Sequence, residues 1–96
     1  MVEVIVKGLG TVKKLIPKPI TVKLNVGNET VGGVLSRVAE LCGEPFIKGV
    51  YSPHAGELAD GVFVLLNGRR IEFIGGLRAK VKSGDVIAIG AVSAGG

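Results

Sequence analysis

The hydrophobic period changes near residue 28, and this change most constrains the fold. In the segment ITVKLNV, residues 20–26, every second side chain is apolar, which predicts a half-buried strand with one solvated face. In the next segment, TVGGVLSRVAELCG, the apolar positions instead follow a helical stripe: Val31, Val34, Leu35, Val38, Leu41 and Cys42. The chain must therefore bury one face of a helix against a sheet.

The ends of this helix are marked in the sequence. Thr30 is a predicted N-cap, and Gly43 is a predicted C-terminal stop followed by a proline. Gly32 and Gly33 are weak helix formers in the first turn. Their presence predicts that another segment packs closely there.

Three more apolar segments predict strands. Residues 2–7 are rich in β-branched side chains, and a basic connection with two prolines joins them to residues 20–26 as a hairpin. Residues 62–66, VFVLL, form a continuous apolar run that is typical of a central strand covered on both faces. Residues 86–89 form the last predicted strand.

A hairpin turn is predicted at Asn67-Gly68, a pair that favours the type I′ conformation. The following RRIEF is predicted to pair back, with Ile71 and Phe73 on one face, and the aromatic side chains of Phe63 and Phe73 are assigned to the core. Leu77 and Val81 are predicted to anchor the next connection. Residues 44–60 are assigned to a loop with at most one short helical turn.

The element order is strand, strand, helix, strand, strand, strand. It predicts an α+β fold of the β-grasp type, a mixed sheet of four to five strands with one main helix on one face and the last strand beside the first. We assign residues 1–90 to this domain and residues 91–96 to a flexible C-terminal tail that ends in Gly-Gly.

Composition fits a single globular domain in a reducing compartment. The chain has 96 residues, of which 47% are hydrophobic, and a single cysteine, which excludes an intrachain disulfide. The N-terminal MVEVIVKG alternates, unlike a signal peptide, and no apolar run reaches the ~20 residues of a membrane helix. The expected location is the cytoplasm.

The formal net charge is +4, and the positive side chains crowd the first quarter of the chain: Lys7, Lys13, Lys14, Lys18 and Lys23. Such an excess is typical of a solvated hairpin, and it also suits a module that binds RNA or an acidic protein. Aromatic residues make up only 4% of the chain, fewer than a nucleic-acid stacking platform requires. Both interpretations stay open at this point.

Three segments make the sequence resemble the ubiquitin-like sulfur carriers and small modifiers. They are TVGGVLSRVAEL for the helix, VFVLLNGRRI for the hairpin, and the closing LRAKVKSGDVIAIGAVSAGG, which places a turn, an apolar strand and Gly-Gly in the family's order. The family includes the small subunit of molybdopterin synthase (MoaD), the thiamin sulfur carrier (ThiS), the ubiquitin-related modifier and the archaeal small modifier proteins. The resemblance spans nearly the whole chain.

The resemblance implies that the chain is a substrate rather than an enzyme. An E1-like enzyme of the MoeB/ThiF type would use ATP and magnesium to adenylate the Gly96 carboxylate, since no phosphate-binding loop occurs in the chain. Sulfide would then give a thiocarboxylate for molybdopterin or tRNA thiolation, whereas a lysine amine would give an isopeptide bond. The acceptors would be the large subunit of molybdopterin synthase, a tRNA thiolase or target lysines.

The tail residues suit this chemistry because they are small. Gly95 and Gly96 leave the terminal carbonyl open, and Ser93 and Ala94 keep the preceding chain thin enough to thread into a partner. In the family the open face of the sheet meets the adenylating enzyme. Candidate contact residues at its edge are Asp85, Arg69 and Arg70.

Two further side chains are candidates for reactive groups. Cys42 lies on the apolar stripe, which favours a structural thiol over a sulfur relay. His54 lies in a loop with only Glu57 nearby, which favours a surface histidine. No acid–base pair, nucleophile dyad or metal-ligand set has usable spacing, so the sequence offers no catalytic residue.

Overall fold

The computed structural model describes residues 1–92, and a mixed sheet organises them. The strands are β1 (Val2–Gly8), β2 (Ile20–Leu24), β3 (Tyr51–Ser52), β4 (Glu57–Leu58), β5 (Val62–Leu66), β6 (Arg69–Arg70) and β7 (Val86–Ala91). Five of them form one sheet in the order β2-β1-β7-β5-β6. β1 pairs antiparallel with β2 and parallel with β7, and β5 pairs antiparallel with β7 and β6. The last strand is therefore central, and the predicted β-grasp fold is confirmed.

Helix α1 (Val31–Cys42) packs on one face of this sheet. Thr30 caps it as predicted, because its Oγ1 accepts a hydrogen bond from the Gly33 amide at 3.1 Å. The buried stripe is confirmed at Val31, Val34, Leu35 and Val38. The prediction is wrong for Leu41, which lies at the edge of the stripe in the last turn and is 55% exposed.

The two glycines in the first turn of α1 do lie against other backbone. A Cβ on Gly32 would come within 3.2 Å of the Leu77 carbonyl oxygen, and one on Gly33 would overlap the Asn28 carbonyl oxygen. The predicted anchors also hold, since Val81 is buried and Leu77 packs against the core.

Residues 44–60 contain more structure than the predicted loop. Helix α2 (Glu44–Gly49) buries Phe46 completely, and the short strands β3 and β4 pair as a small separate sheet. Val50, which follows α2, and Tyr51 of β3 are also buried. The segment folds because these three apolar side chains, too scattered to show a period, complete the core beside α1.

The second hairpin is confirmed in its turn and corrected after it. Asn67 and Gly68 both have positive φ, 51° and 84°, as a type I′ turn requires. β6 ends after Arg70, however, and a 3₁₀ turn follows at Ile71–Phe73. That turn buries Ile71 but leaves Phe73 82% exposed, so the assignment of Phe73 to the core is wrong.

Strand β5 is covered on one face only, contrary to the prediction. Val64 and Leu66 are buried in the core, whereas Phe63 and Leu65 point to the other face and are half-buried. Phe63 and Leu65 make the uncovered face of the sheet apolar at this point, which is why the run in the sequence is continuous. This face, opposite α1, is called the open face below.

The basic connection between β1 and β2 is also more ordered than predicted. It forms a 3₁₀ turn at Gly10–Lys14, which buries Val12, and Ile16 is buried just after it. β2 ends at Leu24, so Val26 is exposed rather than on the buried face. None of the helices between residues 1 and 92 has the length and apolarity that a membrane crossing requires.

Candidate functional site

The open face carries a row of four side chains across four strands. Ala88 of β7 pairs with Lys7 of β1 on one side and with Leu65 of β5 on the other. Leu65 in turn pairs with Arg70 of β6. Directly paired residues share a face of the sheet. The row therefore has an apolar centre, Ala88 and Leu65, between two cationic ends.

A second row lies nearer the C-terminal end of β7. Phe63 pairs with Gly90, and its ring lies so close across this glycine that a Cβ on Gly90 would overlap the ring. The Arg70 guanidinium lies 5.7 Å from the centre of the same ring and 3.1 Å from the Glu72 carboxylate. Phe63 therefore connects the charged edge of the open face to the backbone that leads into the tail.

A shallow groove of about 380 Å³ crosses the open face beside these rows. It is lined by Lys7, Leu9, Leu65, Asn67, Val86 and Ala88, with the Gly68 backbone at one end. Within the described part of the chain, Lys7 gives this lining its one charged side chain. An apolar surface with cationic ends suits a partner whose docking surface is apolar with acidic side chains around it.

The root of the tail is held by backbone contacts. Ala91 pairs with Val62, and the Val92 amide donates a hydrogen bond of 2.8 Å to the Gly61 carbonyl oxygen. On the other side of the strand, the Leu9 amide donates to the Ile89 carbonyl oxygen at 2.8 Å. Strand β7 thus ends at Ala91, and one further backbone hydrogen bond holds Val92.

The structure separates the two predicted arginines. Arg70 lies on the open face with Leu65, whereas Arg69 pairs with Leu66, a residue of the core-facing side. Both side chains are exposed because β6 is the edge strand and only two residues long. Arg70 is therefore the member of the pair that can contact a partner docked on the open face.

Asp85, predicted as a candidate contact residue at the edge of the open face, is only 7% exposed. Its carboxylate accepts hydrogen bonds from Asn67 Nδ2 at 3.0 Å and from the Lys82 amide at 2.9 Å. These two contacts join the turn before β7 to the hairpin turn after β5. Asp85 thus serves the fold.

The four residues assigned to the activated and threading tail, Ser93, Ala94, Gly95 and Gly96, lie outside the described residues. Their predicted roles stay predictions. The structure describes only the chain that leads to them.

The environments of Cys42 and His54 do not favour a reactive role for either side chain. Cys42 is half-buried, its Sγ lies 3.9 Å from the Leu15 carbonyl oxygen, and burial raises the pKa of its thiol. A raised pKa disfavours the nucleophilic thiolate. His54 is exposed in the turn between β3 and β4, and no group of metal-binding side chains occurs between residues 1 and 92.

Sequence reasoning misses Phe63, Lys7 and Gly61 as site residues. The continuous apolar run in β5 hides the fact that Phe63 and Leu65 alternate with the buried pair, so it predicts covered positions for both. Gly61 follows Asp60, and Asp-Gly before a strand is a turn signal that marks positive φ. That signal predicts the turn, but it does not predict that the backbone of Val92 lies against Gly61.

Solved structures with this fold include three informative matches. Urm1 from Trypanosoma brucei is 18% identical with a TM-score of 0.78, over 98% of this chain and 95% of that one. A putative molybdopterin converting factor, subunit 1, from Pyrococcus furiosus is 20% identical with a TM-score of 0.74, over 97% and 100%. A chain of the Amycolatopsis orientalis BexX/CysO complex is 26% identical with a TM-score of 0.68, over 97% and 99%.

No protein-family model and no curated protein matches the chain. The structural matches cover nearly the full length of both chains, so the likeness concerns the entire domain rather than a shared hairpin. They confirm that the resemblance read from the helix, the hairpin and the closing strand holds for the fold.

Proposed function

We propose that this chain is a ubiquitin-like sulfur carrier, a protein modifier or both, whose Gly96 carboxylate is activated by an E1-like enzyme. The observation that supports this most directly is the path of β7. This central strand crosses the open face at Ala88 and Gly90, and its hydrogen bonding extends to Val92, four residues before Gly96. A partner docked on the open face thus lies beside the start of the tail.

The chemistry proposed for the tail proceeds in two steps. The Gly96 carboxylate oxygen attacks the α-phosphorus of ATP and releases pyrophosphate, which leaves an acyl-adenylate. Sulfide then attacks the acyl carbon, and AMP leaves as the thiocarboxylate forms; a lysine amine in its place gives an isopeptide bond. We assign ATP and magnesium to the partner because the chain has no phosphate-binding loop.

The proposed partner surface is the open face with Lys7 and Arg70 at its ends. Positive charge at the ends of an apolar patch speeds association with an acidic partner and sets its orientation. The match to a chain of a two-protein complex and to a converting-factor subunit supports a function exerted through a partner. The partner's final sulfur or lysine acceptor belongs to the same proposal.

A binding module that uses the basic hairpin on RNA or an acidic protein is the alternative. The structural matches do not favour it, because they are a ubiquitin-related modifier, a converting-factor subunit and CysO. The position of the exposed Phe73 does not favour it either, since this ring follows β6 at the sheet edge opposite the basic hairpin and cannot stack a base beside those lysines.

The decisive experiment removes Gly96 and, separately, replaces Gly95 by valine. The deletion moves the carboxylate back by about 3.3–3.6 Å, far more than the ~1 Å misplacement that can cost 100-fold in rate. We expect the deletion to abolish, and Gly95→Val to reduce severely, both ATP–pyrophosphate exchange and oxygen-to-sulfur replacement, with unchanged circular dichroism and melting. A prior measurement of the intact mass of the protein from its own cells tests whether Gly96 carries the free carboxylate.

A matched control alters the other terminus. Deleting Met1, which is exposed at the start of β1, should leave exchange and sulfur incorporation at the wild-type level. If the Gly96 deletion exchanges and accepts sulfur as well as the full chain does, the carrier proposal is wrong and the binding module takes its place.

A further inference from the structure

The backbone of Gly61 lies unusually close to Val92. Gly61 has a φ of +80°, and a Cβ built on it would be 2.8 Å from the Val92 carbonyl oxygen. Real Cβ atoms do not come this close to a backbone oxygen, so any side chain here would push Val92 away. Only glycine allows both the backbone conformation and the contact.

This contact is also hydrogen bonded. The Val92 amide donates to the Gly61 carbonyl oxygen at 2.8 Å, which adds one bond beyond the last ladder pair of β5 and β7, Val62 with Ala91. Gly61 and Val92 thus meet through a hydrogen bond and a close backbone approach. The root of the tail is held through backbone atoms.

The turn that contains Gly61 is itself fastened to the core. The Val62 amide donates to the Ala59 carbonyl oxygen at 3.1 Å and closes the turn. The Ala59 amide donates to the carbonyl oxygen of Val50, a buried residue, at 2.8 Å. Val92 is therefore tied through the turn to the interior of the domain.

Holding Val92 limits the reach of the tail. Four residues beyond Val92 span at most about 13–14 Å, whereas the five residues beyond Ala91, the last ladder residue, span about 16–18 Å. A shorter tether confines the terminal carboxylate to a smaller volume, which raises its effective concentration at a fixed point in a docked partner.

We propose that Gly61 is a positioning residue that holds the tail at Val92 and so sets the length of chain that carries the Gly96 carboxylate into the adenylating enzyme. The proposal rests on the proposed function. It predicts that a side chain at position 61 lowers the rate of activation without weakening the docking of the domain, because the docking residues on the open face are untouched.

The test compares Gly61→Ala with Gly56→Ala. Gly56 is a matched control, because it also has positive φ, +68°, but a Cβ added to it would meet no described atom within 4 Å. Both changes strain the backbone, and only the first displaces Val92. A third variant, Gly61→Asn, tolerates positive φ but brings the same Cβ, so it separates strain from contact.

In ATP–pyrophosphate exchange with the cognate adenylating enzyme, we expect kcat to fall about 10- to 100-fold in Gly61→Ala and Gly61→Asn, since a 1 Å misplacement can cost 100-fold. KM should stay within about twofold of wild type because the docking surface is intact. Gly56→Ala should match wild type in both constants. Amide hydrogen exchange should show lost protection at Val92 in the two Gly61 variants only.

The proposal is overturned if Val92 keeps its protection in Gly61→Ala, if kcat is unchanged although protection is lost, or if Gly56→Ala loses as much kcat. A fall in activity that appears wholly in KM also overturns it. If the wild-type chain is not activated at all, the proposed function has failed, and the positioning role fails with it. Amide hydrogen exchange at Val92 still decides separately whether Gly61 holds that residue.

Discussion

The two ends of the central strand β7 differ in the contacts that supplement their backbone hydrogen bonds. At its start, polar side chains form a network: Asp85 accepts from Asn67 and from the Lys82 amide, and Asn67 Oδ1 accepts from the Val86 amide at 2.8 Å. A serine adds to this end, since the Glu3 amide donates to Ser83 Oγ at 3.1 Å. Each of these contacts requires one particular side chain.

At the other end, glycines take the place of polar side chains. Gly61 admits the backbone of Val92, and Gly90 admits the ring of Phe63 across the strand. Among the described residues, the hydrogen bonds at this end are between backbone groups. The described hydrogen bonds at the end of β7 therefore use backbone atoms, whereas those at its start also use side-chain acceptors.

The difference suits the proposed roles of the two ends. Buried polar contacts specify register and position, because a lost partner leaves an unsatisfied donor. A tail that must pass into a partner has to be narrow at its root, and backbone contacts hold the chain without adding side-chain width. The contacts at the start of β7 thus secure the fold, and those at its end fit the proposed presentation of the tail.

The largest effect should come from the core on which both ends rest. Leu35→Ala removes a completely buried side chain of α1, and we expect it to lower the free energy of unfolding by about 2–5 kcal/mol. Both ends of β7 should then lose their structure at the same, lower urea concentration. Circular dichroism and the NMR amide signals of Val86 and Val92 measure this.

The control uses the same residue type on the same helix. Leu41 is 55% exposed, so Leu41→Ala should change the free energy of unfolding by no more than about 0.5 kcal/mol. Equal losses in the two variants would contradict the core assignment. Separate urea midpoints for Val86 and Val92 in Leu35→Ala would show that the ends do not share one core.

A smaller effect should distinguish the start of β7 from its end. Asp85→Ala leaves the Lys82 amide and Asn67 Nδ2 without their acceptor, which should cost about 1–3 kcal/mol of unfolding free energy. Activation of the molecules that remain folded should be unchanged, because the tail root is elsewhere. Urea unfolding and ATP–pyrophosphate exchange test the two parts.

Asp60→Ala is the matched control, since this exposed aspartate lies beside Gly61 at the other end. It should change unfolding free energy by no more than about 0.5 kcal/mol. Asp85→Asn keeps one acceptor oxygen, so its loss of unfolding free energy should lie between those of Asp85→Ala and Asp60→Ala. If Asp85→Ala were as stable as Asp60→Ala, the contacts of Asp85 at the start of β7 would not stabilise the fold.

Much of the fold could be predicted because its signals are local. The alternation in residues 20–26, the capped stripe of α1 and the Asn67-Gly68 turn each lie within one short segment, and each is confirmed wholly or in large part. The order of these elements then suffices for the β-grasp topology, with the last strand beside the first. Leu41 and Val26 depart from the prediction because they lie at the ends of their elements, where burial depends on the neighbouring segments.

The site was harder to predict because it depends on distant pairs. Asp85 is buried through its contact with Asn67, 18 residues away, and Gly61 matters only because Val92 lies against it. The face on which Arg69 or Arg70 lies follows from the register with β5 and from nothing in the RR pair itself. Phe73 shows the same limit, since the 3₁₀ turn after β6 places it in solvent rather than in the expected core.

The smallest effect concerns charge near the two ends of β7. The 3₁₀ turn that carries Lys13 and Lys14 follows β1 at the end where Leu9 bonds to Ile89, close to the tail root. Replacing both lysines by glutamine should slow association with an acidic partner about two- to fivefold at low salt, through lost steering. The final yield of activated chain should be unchanged.

A second pair of lysines provides a control of equal charge. Lys80 and Lys82 are exposed beside the start of β7, so their replacement by glutamine removes the same charge at the opposite end. Stopped-flow association across a salt series separates the pairs, because screening beyond about 10 Å at 0.1 M salt leaves only charges near the contact effective. We expect the Lys13 and Lys14 variant to be the slower one at low salt and the difference to vanish at high salt. Equal slowing would mean that net charge alone steers the partner, and a complete loss of activation at physiological salt would assign the Gly10–Lys14 turn a specific contact instead.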